Sequence, residues 1–198
     1  MFFSTWVTPS HAQSVRGAGI AELSARADGQ AYLVSFQVDG AFTEDLEEAI
    51  QAGIPTTFTY LFRVKRHVTA WFDERIAEFQ VRRTVHYDNI REVYTVLLGE
   101  KGQTITVNRL DEAQKLMTQF TDMPVAVRGS LTDEGPYYVQ IKAQLDQVDV
   151  PLNLSDFFIF SALWDFETRW AKVELPPQPP AEAPPAGDAP DADSEASP

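Results

Sequence analysis

The side chains that most often carry catalysis or hold metals are scarce in this chain. There is no cysteine, which removes thiolate nucleophiles, thiolate metal sites and disulfides together. The three histidines, His11, His67 and His86, stand far apart. A zinc site needs several His, Cys or carboxylate ligands converging at short spacing, and none of the three has such neighbours. His67 closes the run R-V-K-R-H, where a solvated strand end is expected, and His86 alternates out of the face that carries Val85 and Tyr87. No H-E-x-x-H, G-x-S-x-G or phosphate-cradling Gly-rich pattern occurs. These absences point away from an enzyme, and neither cofactor nor metal is expected. One carboxylate pair remains, Asp165 and Glu167 beside Trp164 and Phe166, which has the make-up of an acid pair in an aromatic sugar cleft. A half-buried strand gives the same pattern without a site. Asp165 and Glu167 then share the wet face, and Trp164, Phe166, Thr168 and Trp170 the buried one. That plainer account is the one adopted.

Binding surfaces are a richer prospect. Arg63, Lys65, Arg66, Arg75, Arg82 and Arg83 form the one basic concentration of an acidic chain. If two strands pair through a turn at Thr69 to Glu74, several of these cations come together. They then read either as a solvated face partly neutralised by Asp73, Glu74 and Glu78, or as a docking face for an acidic partner. Trp71 and Phe72 fall at the tip of that hairpin, where apolar residues are hard to bury and binding residues often sit. The segment Leu154 to Trp170 is the most aromatic of all. Its Phe157, Phe158 and Phe160 need a cover, whether core, partner or lipid. The candidate interaction surface is therefore Trp71, Phe72, Arg82, Arg83, Phe157, Phe158 and Phe160. An alternative is a carrier or sensor of an apolar ligand such as a lipid, with Phe157 to Phe160 as the lid of a cavity lined by Phe and Tyr.

Period-two alternation dominates the elements that must position these residues. Tyr32, Val34, Phe36 and Val38 repeat at every second position, as do Phe58, Tyr60, Phe62 and Val64, then Phe79, Val81, Val85 and Tyr87, and most cleanly Tyr137, Val139, Ile141, Ala143 and Leu145. Asp28-Gly29, Asp88-Asn89, Gly99 to Gly102 and Asp133 to Pro136 separate them as turns. Two helices interrupt the strands. The first is expected over Glu44 to Ala52, capped by Thr43, with Leu46, Ala49 and Ile50 inward and Gly53 and Pro55 as the stop. The second is expected over Leu110 to Phe120, with Leu110, Ala113, Met117 and Phe120 inward. A short helix begun at Ser155 and a last strand from Phe166 to Leu175 would close the domain. The expected fold is mainly β, an antiparallel two-layer sandwich of about eight or nine strands with two or three short helices at its open ends.

With 44% apolar residues among 198, the chain has material for one core. The net charge of −13 includes five acids beyond Pro176, where there is no Lys or Arg, leaving −8 elsewhere. Such a chain is repelled by phosphate backbones, so nucleic acid is not an expected partner. No window reaches the roughly 20 apolar residues of a transmembrane helix. Residues 1–12 combine an apolar head with Ser10 and Ala12 in small-x-small spacing, and read as the remnant of a secretory signal cleaved after Ala12, with the true start upstream; a frayed cytosolic terminus is the alternative. Residues 13–175 form the single β-rich domain. Residues 176–198 are a Pro/Ala/acidic tail whose composition favours extended, solvated polyproline II.

Three segments together resemble a known family: A-F-T-E-D-L-E-E-A-I-Q-A-G-I-P-T-T-F-T-Y at Ala41 to Tyr60, R-T-V-H-Y-D at Arg83 to Asp88, and L-W-D-F-E-T-R-W at Leu163 to Trp170. They are similar to the bacterial domain of unknown function 4390, over roughly Gly17 to Val173, with the last segment the most specific. The resemblance implies an exported or membrane-anchored envelope protein, in line with the reading of Ala12, and brings no catalytic residues. Periplasmic or exported localisation, with another envelope protein as partner, is the resulting expectation.

Overall fold

The computed structural model describes residues 17–29, 31–69, 72–131, 135–146 and 166–177. Each alternating run becomes a strand. In chain order they are β1 (Gly19–Asp28), β2 (Ala31–Asp39), β3 (Thr56–Arg66), β4 (Glu74–Asp88), β5 (Val93–Leu98), β6 (Gln103–Val107), β7 (Gln119–Val127), β8 (Tyr137–Leu145) and β9 (Ala171–Glu174). Helix α1 (Glu44–Gln51) lies between β2 and β3, and α2 (Leu110–Thr118) between β6 and β7. The strands form two antiparallel sheets, one of order β1-β2-β7 and one of order β6-β5-β4-β3-β8-β9. This is the expected sandwich, with nine strands among the described residues. On one side β1 packs beside β9. On the other, α2 bridges β2 to β4, β5 and β6.

The core is where the inward faces of β2 and β3 meet. Tyr32, Val34, Phe36 and Val38 are buried against Phe58, Tyr60, Phe62 and Val64. The ring of Phe36 lies 6.0 Å from that of Phe62 and stacks 4.5 Å from Phe120 of β7. Area burial of this kind is worth roughly 1.5–3 kcal/mol for each large side chain. Helix α1 begins where expected: the Thr43 hydroxyl accepts from the Leu46 amide at 3.3 Å, and Leu46, Ala49 and Ile50 point inward.

Two boundaries differ from the sequence expectation. Helix α2 stops at Thr118, and β7 starts at once with Gln119, placing Phe120 in the sheet. A long-range side chain, that of Arg83, ends that helix in place of a local stop signal. The run from Phe166 to Leu175 is not one strand either. Glu167 pairs with Gln144 and Ala171 with Ile141, so residues 168, 169 and 170 stand opposite only 142 and 143. That extra residue is a β-bulge, and it reverses the facing of the residues after it. Phe166 stays on the core side, edge-on to Phe58 at 5.4 Å, and Thr168 is buried. Trp170 instead lies on the outer face with Arg63, whose guanidinium sits 4.2 Å above its ring. The expectation that Trp170 shares the buried face is therefore corrected. Trp164, Asp165 and the predicted helix at Ser155 lie outside the described residues.

Candidate functional site

The β3–β4 hairpin forms, with Arg66 opposite Glu74 and Phe58 opposite Arg83. Pairing collects the basic side chains and supplies them with acids. Arg63 Nε lies 2.8 Å from Glu78, Arg75 2.6 Å from the same carboxylate, and Arg66 2.5 Å from Glu74. Most of the basic patch is thus internally neutralised. The loop beyond it is tied to the body. Asp73 takes the Tyr138 hydroxyl on one oxygen, at 2.5 Å, and lies 2.9 Å from His67 Nδ1 through the other. The Tyr138 bond, ahead of the His67 contact, holds the Asp73 carboxyl below the usual carboxylate range. Burial and this acceptor push the Tyr138 phenol up to about 12.

From this anchored loop Phe72 stands out at 92% exposure. Ile76, the extra residue of a bulge between Ala77 and Arg75, is exposed on the same hairpin end. Trp71 and the predicted surface residues Phe157, Phe158 and Phe160 lie outside the described residues.

Arg82 and Arg83 part company. Adjacent strand residues face opposite ways, and Arg82 points to the outer face, where it pairs with Asp146 and stays 61% exposed. Arg83 points between the sheets and is buried, so the expectation that both lie on one docking face is corrected for Arg83. The signal was present in the sequence. Phe79, Val81, Val85 and Tyr87 alternate, and position 83 falls on their face.

Buried, Arg83 organises its surroundings. Its Nη1 donates to the carbonyls of Leu116 and Gln119, both at 2.7 Å, at the C-terminal end of α2. Those carbonyls have no partner inside the helix, and a cation there also suits the helix dipole. This is the long-range stop that replaces a C-terminal glycine. The guanidinium also lies 3.4 Å from the Phe120 ring centroid and pairs with Glu100. Gly99 makes that pairing reachable. Its amide bonds to the Arg82 carbonyl at 2.9 Å, and a Cβ there would fall 2.3 Å from the same oxygen, so only glycine lets Glu100 swing beneath Arg83. From the other side, the buried Tyr60 hydroxyl donates to the Met117 carbonyl, and burial raises its pKa.

A cleft of about 450 Å³ opens beside this assembly, between the β5–β6 turn, α2 and β7. Leu98, Leu116, Phe120, Met123 and Pro124 supply its apolar lining, Glu100 its acidic wall, and Lys101 and Lys115 its exposed cations. The far rim is strained. Asp122 sits at φ 54° on a β7 bulge, held by Arg26 Nε at 2.9 Å and by its own amide bonding to Ser35 Oγ at 3.0 Å. Such a conformation costs about 1–3 kcal/mol for a residue with a Cβ and is often found where a site is shaped.

Among the described residues no group of three or more His, Cys, Asp or Glu side chains is placed to hold a metal ion, and no helix is long and apolar enough to cross a membrane. His86 is exposed on β4, away from His67. Glu167 is exposed and lies 2.5 Å from Lys142 Nζ. No curated protein and no solved structure matches the chain. The family described as Domain of unknown function (DUF4390) matches residues 16–174, which takes in all three segments that carried the resemblance, and the chain belongs to that family.

Proposed function

We propose that this chain is a non-enzymatic accessory domain of the bacterial cell envelope that docks another envelope protein through the end of its β3–β4 hairpin. The observation that carries the reading is Phe72, an aromatic ring held almost wholly in water on a loop that Asp73, His67 and Tyr138 fix to the body. A ring presented by an anchored loop loses little entropy on binding, and buried aromatics dominate interface energetics. Its complement is a partner pocket of apolar character, with Ile76 as a second contact. Export is supported by the small-x-small spacing at Ser10 and Ala12, and a non-enzymatic role by the scarcity of convergent nucleophiles, bases and ligands in the sequence.

The test is a tagged copy expressed in its own host and crosslinked in intact cells. Envelope fractions should hold one protein crosslinked to the wild type and lost with Phe72→Ala, while the thermal midpoint of the purified variant stays unchanged. Retention of the same crosslink in the variant, or recovery of the protein from the cytosol, refutes the reading.

A further inference from the structure

An open sheet ends in two edge strands, each presenting a row of backbone N–H and C=O groups to whatever lies beside it. Among the described residues the edges are β1 and β7 on the small sheet, β6 and β9 on the large one. Three of them are guarded. The β1 edge carries a bulge between Ala21 and Ser24, with Glu22 at φ 51°, and packs beside β9. That contact shields β9 in turn, a short strand bearing Lys172 and Glu174. Two register shifts, Pro124 and Asp122 at φ 54° break up β7. Bulges, prolines, charges and a covering element are the devices that keep natural sheets from pairing edge to edge.

Strand β6 has none of these four. Gln103, Thr104, Ile105, Thr106 and Val107 include no charge and no proline, and their ladder with β5 runs without a register shift. Gln103, Thr104 and Thr106 are exposed. Ile105 and Val107 face the core but are only half-buried, whereas their partners across the ladder, Val96 and Tyr94, are buried.

We propose that β6 is the contact between two copies of this chain, which pair β6 with β6 antiparallel about a two-fold axis at Ile105 and so join their large sheets. Two observations select a second copy as the occupant. In a two-fold contact a residue at the axis meets itself, so a charge there would repel its own copy. On a chain of net charge −13, β6 is an edge strand free of charge. The register through Ile105 also suits the side chains. It sets the half-buried Ile105 against its copy on the core face and Thr104 against Thr106 on the outer face, cross-strand pairs of β-branched residues that favour a sheet. The nearest charges along the chain, Lys101 and Arg109, lie beyond the strand, and Arg109 is paired with Asp111 at 2.8 Å. A ladder this short falls below the roughly 1,200–2,000 Å² of a standard interface, so the dimer is weak and depends on concentration. It is independent of hairpin docking.

Sedimentation velocity of the full chain over a rising concentration series tests the contact. The wild type should pass from monomer to dimer mass, and salt should promote the passage by screening the repulsion between two acidic chains. The double variant Thr104→Lys with Thr106→Lys sets lysine opposite lysine across the axis. It should weaken the dimer about tenfold or more at an unchanged thermal midpoint, as both sites are exposed. Mixed with a copy carrying Thr104→Glu and Thr106→Glu, it should form a heterodimer tighter than either variant makes alone. A chain that stays monomeric at every concentration would overturn the proposal and leave the edge to an extended segment of another protein. A dimer indifferent to the lysine pair, a dimer lost in Phe72→Ala, or charge-swapped copies that do not associate would overturn it by placing the contact elsewhere.

Discussion

Replacing Arg83 by methionine should cost the domain about 3–5 kcal/mol, the usual penalty for removing one partner of a buried ion pair. Methionine keeps much of the side-chain volume, so the loss is chiefly electrostatic. It leaves the Glu100 carboxylate buried with neither oxygen paired, and it returns the carbonyls of Leu116 and Gln119 to an unsatisfied state. Each such orphan costs about 1–3 kcal/mol, overlapping with the pair term because one side chain serves all of them. Against a typical total of about 5–15 kcal/mol, the variant should sit near the edge of folding. The partner's removal is gentler. In Glu100→Met, Arg83 keeps two carbonyls and the Phe120 face, so the cost should be at least about 1 kcal/mol smaller. The double variant should recover the part of the loss that comes from the stranded Glu100 carboxylate, while the carbonyls of Leu116 and Gln119 stay unsatisfied. Arg82→Met, one residue away, should cost about 1 kcal/mol or less, as expected for a pair whose cation is exposed. Urea unfolding of the four variants, compared at constant m-value, measures all of this. Equal costs for Arg82→Met and Arg83→Met would refute the assignment of the two arginines to opposite faces. A double variant no more stable than Arg83→Met would refute the ion-pair account.

Two further substitutions separate other parts of the reasoning. Phe166→Ala should cost about 2–4 kcal/mol, because its ring packs on Phe58, whereas Trp170→Ala should cost clearly less despite the larger ring, since the bulge turns it outward; thermal unfolding that ranks them in reverse would contradict the bulge. Asp73→Asn should make stability depend less on pH at both extremes. Asp73 has its folded pKa below the unfolded one, so its contribution is complete above about pH 4 and lost as pH falls through the folded value. Tyr138 has its folded pKa raised to about 12, so its contribution is complete below about pH 10 and lost as pH rises towards 12. The difference in midpoint between wild type and variant should therefore be widest from about pH 4 to 10 and narrow on either side, and a constant difference that persists beyond both ends of that range would sink the proposed coupling.

The sandwich was legible in the sequence because burial in a sheet imposes a period of two; β2 keeps that period throughout, and β3 and β8 break it only at the buried Thr59 and Tyr138. Helix α1 was legible at both ends, since Thr43 and Gly53 act on their own neighbours. Local chemistry also offered, as one of two readings, a basic face partly neutralised by Glu74 and Glu78, which Arg63 and Arg66 meet across the hairpin and Arg75 along its own strand. The tertiary structure was needed for every feature that depends on residues distant in sequence. The end of α2 is set by Arg83, more than thirty residues upstream. The facing of Trp170 is set by a bulge, which one extra residue creates and no composition announces. The cleft is assembled from a turn, a helix and an edge strand, and Glu100 reaches Arg83 only because Gly99 lets that turn close against Arg82. Periodicity gives each side chain a face; only the packed chain decides which neighbours that face meets, and which strand edge is left without one.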